Sequence, residues 1–382
     1  MKVFIGFLFT FLFTIQNFAQ TLNPFHQTLA NQVSQSNILQ HLTDFENFGV
    51  KTFGSQEEDE ALNWLISFYQ SMGYTDIETQ TVSAYGETGS NLIVTKTGTV
   101  YPDTYVIIDA HYDTINGPGT NDNGSGTSIL MELARIFANV QTEYSIKFIH
   151  FTAEEWGLIG SQQYVDEVVI PQNLDIRLVF NIDQVGGVAG MNNNKVVCEK
   201  DIFQPHGNDS ESAQITQELS NCISLYSDLG TVTDIAYGSD YIPFQDAGYV
   251  ITGLYEYNES DHPHTPTDTL ENMDPEYVFQ IAKGSAGALA YFAKAYQNMG
   301  VNDSDLNRFI VYPNPADQLI TIKAQPTNQL KQISLIDFSG RTVFQSAEKL
   351  DRDLIISTSQ LPNGNYILRI DQNSYKIIVQ HK

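Results

Sequence analysis

The sequence predicts an α/β fold with a mostly parallel central sheet flanked by helices, followed by a small C-terminal β-sandwich. Three observations carry that expectation. From Leu39 to about Asn298, β-rich apolar runs alternate with segments of helical spacing, the order that builds a largely parallel sheet. Beyond Val301 the chain changes to short alternating strands separated by turn residues, a sandwich pattern. Between the two, Gly300-Val301-Asn302-Asp303-Ser304-Asp305 is polar enough to be a linker.

The elements follow in order. Lys2, an apolar stretch from Val3 to Ile15, and then Asn17-Phe18-Ala19-Gln20 form a signal-peptide pattern over residues 1–20. That stretch is shorter than the ~20 apolar residues of a spanning helix, and no later run is longer, so the mature chain is expected to have no transmembrane helix. Residues 21–300 are expected to hold the α/β domain, 301–308 the linker and 309–382 the sandwich. Leu62, Leu65, Ile66 and Tyr69 give Glu57–Met72 helical spacing. Asn91–Thr95, Tyr105–Ala110, Ser145–Thr152, Ile176–Asp183 and Tyr249–Glu256 read as strands. Thr127–Phe137 reads as a helix, as does Pro275–Gln297 with its proline near the start. Seven short strands are expected after Phe309, punctuated by Asn314-Pro315, Ser339-Gly340 and Pro362-Asn363-Gly364.

Composition narrows the function. Lys and Arg total 19 against 45 Asp and Glu, a net charge of -26, which disfavours nucleic acid and anionic membrane surfaces as partners. With 42% hydrophobic residues the chain can bury a core. Two cysteines exclude a disulfide-dense scaffold, and an oxidising compartment leaves a Cys198–Cys222 bond open beside two separate buried thiols.

Histidines and carboxylates stand just past the predicted strands, where open α/β sheets bind ligands. Tyr105–Ala110 runs into His111-Tyr112-Asp113, and a turn-rich segment, Gly117 to Gly126, carries Asp122. Ser145–Thr152 runs into Ala153-Glu154-Glu155, and the next strand ends at Asp183. The last leads to Asp261-His262-Pro263-His264-Thr265-Pro266-Thr267-Asp268. Imidazole with carboxylate oxygen suits zinc. Asp122, Glu155 and Asp183 carry three negative charges, which two Zn²⁺ and a bridging hydroxide would neutralise. A two-metal site suits hydrolysis. In the pair Glu154-Glu155, one carboxylate can ligate while its neighbour acts as general base. Asp113, two residues past His111, is placed to accept the second imidazole N–H. His150 and His206 read as structural, Asp240 as either a supporting carboxylate or part of a helix cap at Ser239-Asp240, and Ser55 as a helix cap.

HYDT, GTNDNGSG, EEWGLIGS, NID and HTPTDT together resemble the co-catalytic zinc aminopeptidase and carboxypeptidase family, which includes secreted bacterial leucine aminopeptidases. The resemblance spans about Leu39 to Asn298 and implies a zinc-exopeptidase fold, two Zn²⁺ and peptide substrates. It implies that Asp122 bridges the metals, that His111 and Asp183 complete one, and that Glu155 and His264 complete the other. Glu154 would be the general base and Asp113 the residue orienting His111. The family's tyrosine near a Ser-Asp-His segment has Tyr237 as its candidate; the spacing to Ser239-Asp240 is shorter than the family pattern, and Tyr237 stays outside the expected catalytic set. A single-zinc glutaminyl cyclase on the same fold is the alternative within this resemblance. A catalytically inactive surface binding module is the alternative outside it, and no ligand position is lost to favour it.

The last 74 residues, with Val311-Tyr312-Pro313-Asn314-Pro315 and Leu361-Pro362-Asn363-Gly364-Asn365-Tyr366, are similar to the C-terminal sorting domain of type IX secretion. With the signal peptide, that resemblance implies passage through the outer-membrane secretion machinery. The protein is then expected to be secreted or attached to the outer cell surface.

Overall fold

The computed structural model describes residues 20–201, 208–236, 238–297, 309–323, 331–350, 352–371 and 373–381. The expected signal peptide up to residue 19, the linker, His206 and Tyr237 lie outside the described residues. The chain divides into two units, Met1–Gln297 and Asn298–Lys382.

The first unit is built on one eight-stranded sheet. Its strands are β1 (Asp76–Ala84), β2 (Glu87–Lys96), β3 (Tyr101–His111), β4 (Tyr144–Phe151), β5 (Asp175–Ile182), β6 (Lys195–Lys200), β7 (Gly230–Ile235) and β8 (Ile251–Glu256). Their order is β1-β2-β4-β3-β5-β8-β6-β7. The central four, β4, β3, β5 and β8, run parallel. β2 joins β4 antiparallel, and β6 joins β8 antiparallel. The parallel strands are apolar on both faces because helices cover both. On β3, Val106, Ile108 and Ala110 enter one core while Ile107 enters the other. The period of two thus splits one strand between two cores.

Helices begin where the sequence supplies caps. Ser55 accepts the Glu58 N–H and starts Gln56–Ser71, and Asp274 starts Pro275–Phe292. The latter ends at Phe292, short of the expected Gln297. Lys294 adopts a left-handed conformation (φ 50°), and Ala295–Tyr296 then pairs with Gln141–Thr142 as a short ribbon. The helices Gln35–Asn47 and Asp209–Tyr226, with strands β1, β6 and β7, have no counterpart in the sequence-based element list. Cys198 and Cys222 are both buried free thiols. No helix among the described residues is long and apolar enough to cross a membrane.

Among its described residues the second unit has seven strands: β9 (Val311–Tyr312), β10 (Leu319–Ile322), β11 (Lys331–Asp337), β12 (Thr342–Glu348), β13 (Leu354–Ser357), β14 (Gly364–Ile370) and β15 (Asn373–Val379). They form a sheet β9-β10-β13 and a sheet β12-β11-β14-β15. Ile320, Ile322 and Ile356 of one share a core with Leu335, Leu368 and Ile377 of the other. Two antiparallel sheets sharing one core make the expected sandwich.

Candidate metal centre

The four central parallel strands are neighbours, so their carboxyl ends deliver side chains to one edge. β3 ends on His111. β4 leads through Ala153 (φ 55°) to Glu154 and Glu155. Asp183 follows β5, and its N–H donates to Leu254 O on β8 at 3.1 Å. The loop after β8 presents His264 in a left-handed conformation (φ 58°). Asp122 lies in the turn before the helix Gly124–Phe137. Asn123 caps that helix through the Gly126 N–H and donates to Ile182 O at 2.9 Å, tying the turn to the end of β5. Gly117 lets the same loop approach the His264 loop, because a Cβ there would lie 1.8 Å from Thr265 O.

The side chains converge on Asp122. Its Oδ1 is 3.2 Å from His111 Nε2, and its Oδ2 is 3.2 Å from His264 Nε2. His111 Nε2 is also 3.3 Å from Asp183 Oδ1 and 3.9 Å from Glu154 Oε2. Glu155 Oε2 is 2.8 Å from His264 Nε2. Two groups of potential donors result, His111 with Glu154 and Asp183, and Asp122 with Glu155 and His264, each within 4.8 Å. His262 stays outside both, its Nδ1 held 2.8 Å from Thr267 Oγ1.

So many carboxylates in one place perturb one another. Burial raises the Glu154 carboxyl well above the usual range, with Asp183, Asp240 and Asp122 adding to it against the pull of His111. Burial likewise pushes Glu155 up to about 7, opposed by its hydrogen bond with His264. For Asp122, burial also acts upward, but hydrogen bonds with His111 and His264 outweigh it and hold the carboxyl below its ordinary range. Hydrogen bonds to Asp122 and Glu155 raise His264 to about 10. The site therefore lacks positive charge. Among the described residues, Glu155 Oε1 and Asp183 Oδ1 are buried with no hydrogen-bond partner. Buried atoms of this kind need a partner, and mixed imidazole and carboxylate donors fit zinc.

Asp113 makes more contacts than the sequence predicts. The sequence places the Asp113 carboxylate on the second nitrogen of His111. In the structure His111 Nδ1 is 3.1 Å from the Asp113 backbone carbonyl, and the carboxylate lies farther away, at 3.5 Å. Asp113 Oδ1 and Oδ2 instead accept the N–H groups of Glu154 at 3.1 Å and Glu155 at 3.3 Å. The chain bends after β3, so the carbonyl reaches the ring while the carboxylate turns toward the adjacent strand end. Asp113 thus positions three candidate site residues rather than one.

Most other supports were not singled out in the sequence. Asp268 accepts the N–H groups of Asn121 at 2.9 Å and Asp122 at 3.1 Å. Glu256 gathers Asn121, Gln184, Gly187 and Ser260 on its two oxygens. Lys51 is fully buried, and its Nζ donates to Phe45 O, Gly49 O and Pro118 O. Ser239 Oγ donates to Asp183 Oδ2 at 2.7 Å. Asp240 is fully buried and caps no helix, since the short helix Ile242–Asp246 has no side-chain cap. His150 is buried on β4 against Tyr69 Oη at 2.8 Å, a structural position. The signal for Asp268 was its place in HTPTDT; the rest depend on contacts between distant parts of the chain.

A parallel sheet with two donor clusters at its carboxyl edge defines a metallohydrolase class, and comparison with known proteins gives the family. Residues 91–289 match Peptidase family M28, and the chain belongs to it. Residues 310–380 match the secretion system C-terminal sorting domain. Aminopeptidase YwaD of Bacillus subtilis is 33% identical over 204 residues, which are 51% of this chain and 42% of that protein. Leucine aminopeptidase 1 of Ajellomyces dermatitidis is 28% identical over 284 residues, 69% of this chain and 72% of the relative. The chain thus spans under half of the Bacillus relative. Among solved structures, the Legionella pneumophila LapA aminopeptidase superposes with a TM-score of 0.64 at 21% identity, covering 78% of this chain and 81% of that one. A Bacteroides thetaiotaomicron glutaminyl cyclase superposes with a TM-score of 0.56 at 16% identity, over 67% of this chain and 97% of that one. Identities this low show a shared fold, and the fold alone does not separate the two reactions.

Proposed function

We propose that this protein is an exported two-zinc exopeptidase that removes N-terminal residues from peptides. The observation that carries the reading is the placement of Asp122, with one oxygen toward each histidine. That is the geometry of a bridging carboxylate. His111 and Asp183 would hold one zinc, Glu155 and His264 the other, and Asp122 both. Bound there, the ions would supply Lewis acidity, acidifying a water and polarising the scissile carbonyl.

The remaining steps belong to the chain. Glu154 is the carboxylate farthest from His111 Nε2 among the three that face that nitrogen, which supports its role as base over that of ligand. It takes the proton of the attacking water and delivers it to the leaving amine. Asp113 is a positioning residue that fixes the backbone of the Glu154-Glu155 pair. The acidic surroundings attract the α-ammonium of a free N-terminus. The sorting domain supports export through the type IX machinery, ending free in the medium or on the cell surface.

The test is zinc stoichiometry on the purified protein, with cleavage of a free-amine peptide and its N-acetylated twin. Two zincs per chain and cleavage of the free-amine peptide alone are expected. In Glu154→Gln both zincs should stay while kcat falls by about 10²–10⁴. A single zinc with neither peptide cleaved would move the assignment to the cyclase reaction.

A further inference from the structure

The cavity beside the metal centre holds more acid than the centre uses. Its volume is about 360 Å³, and Asp122, Glu155, Asp183 and Glu154 account for four of its lining carboxylates. Glu199, Glu259 and Asp261 remain. Among the described residues, no lysine or arginine lines the cavity, and no leucine, isoleucine, valine, methionine or phenylalanine does either.

Glu199, on β6, is only 5% exposed. Tyr241 Oη donates to its Oε2 at 2.9 Å, while Oε1 has no hydrogen-bond partner among the described residues. Gly253 on β8 makes room for this pair, since a Cβ there would lie 2.8 Å from Glu199 Oε2 and 2.8 Å from the Tyr241 ring. Nearer solvent, Tyr255 Oη donates to Glu259 Oε1 at 3.2 Å. The wall thus carries one buried and one exposed tyrosine–carboxylate pair. An aliphatic side chain here would strip water from Glu199 and give nothing back. A cation would compensate the buried carboxylate.

We propose that this cavity selects a cationic N-terminal residue, arginine or lysine, with its charged end on Glu199 and Glu259 flanking it. This rests on the exopeptidase reading above. Every such substrate brings an α-ammonium to the metal side; the three extra carboxylates answer a second positive charge. Burial pushes the Glu199 carboxyl up to about 8, and a cation at Oε1 favours its ionised form.

The experiment compares kcat/KM of the zinc-loaded full chain on arginyl, citrullinyl, lysyl and leucyl amides. Citrulline keeps the shape of arginine without its charge. Arginine is expected to exceed both citrulline and leucine by at least about tenfold, the scale of a charged hydrogen bond. Glu199→Gln should shrink the arginine-to-citrulline ratio toward one. Glu259→Gln, at an exposed position, should lower that ratio by a smaller factor, and it keeps the test alive if the buried variant misfolds. Hydrolysis of leucyl or citrullinyl amide as fast as the arginyl amide overturns this inference alone. No hydrolysis of any of the four overturns the exopeptidase reading with it.

Discussion

His111 and His264 face the same aspartate from opposite sides, yet the chain presents them in different ways. His111 terminates a central strand, its side chain is 1% exposed, and its ring is held by the Asp113 carbonyl. Thr127 Oγ1 donates to its backbone carbonyl at 2.9 Å. His264 rides on a loop, its side chain is 50% exposed, and its backbone is left-handed. The inner half of the centre is therefore built by the sheet, whether or not metal binds. The outer half is assembled from loops, which Gly117 and Asp268 hold together. The inner histidine is thus buried on a strand end and the outer one half exposed on a loop.

The sharpest way to break this contrast is to remove each histidine in turn. His111→Ala should lower activity by at least about 100-fold and also reduce thermal stability, because it opens a cavity behind the sheet edge. His264→Ala should lose activity and one zinc with little change in unfolding temperature. Equal losses of stability would show that the two halves are not built differently.

Next in size is Asp268→Asn. It removes the charge that holds the Asn121 and Asp122 N–H groups, and should weaken zinc affinity by about 10–100-fold. Metal titration monitored by calorimetry reads this directly. An unchanged affinity would mean that the turn is held by Asn123 alone.

Chelation should then proceed in two steps, with the zinc beside His264 leaving first. Stopped-flow chelator kinetics of the wild-type chain should be biphasic, and His264→Ala should lose the faster phase. A single phase in wild type would argue against an inner and an outer position.

The smallest effect concerns pH. Burial raises Glu58 to about 8, Glu199 to about 8 and Glu256 to about 7 in the folded chain. A raised carboxyl contributes stability that is full below its unfolded value and is lost as pH rises through its folded value. The raised His264 loses its contribution only toward pH 10, in the same direction. Lys51, lowered to about 7 by burial, acts oppositely but only above pH 7. Metal-free protein should therefore unfold at a lower temperature at pH 8 than at pH 5. Zinc should flatten or reverse that trend, since deprotonated ligands bind it better. A metal-free chain more stable at pH 8 would contradict the assigned shifts.

Much of the candidate site was legible because each candidate ligand follows an apolar strand or stands in a short polar turn. A β-rich run that stops at His111, at Thr152 before Glu154-Glu155, or at Asp183 announces both the strand and the residue at its end. The sandwich was legible for a similar reason, as turn residues separate all seven of its strands. The strands β6 and β7 were not, because each is only six residues long, β6 with a lysine at both ends and β7 starting on a glycine. Asp113 was read as a support for His111 alone, and its contacts with the Glu154 and Glu155 N–H groups carried no signal in the sequence. Spacing of two residues says that a carboxylate is near a histidine, and not which of its oxygens or carbonyls the ring meets.

The sequence by itself determined the order of strands and helices, the donor types and their position at strand ends, because these depend on local periodicity and on residues close in the chain. Only the tertiary structure decided the pairing of the two oxygens of Asp122, the sharing of Glu256 among four partners and the acidic wall around Glu199. Those contacts join residues up to 142 positions apart, as between Asp122 and His264. They arise when neighbouring strands bring their ends together, and no local pattern encodes that distance.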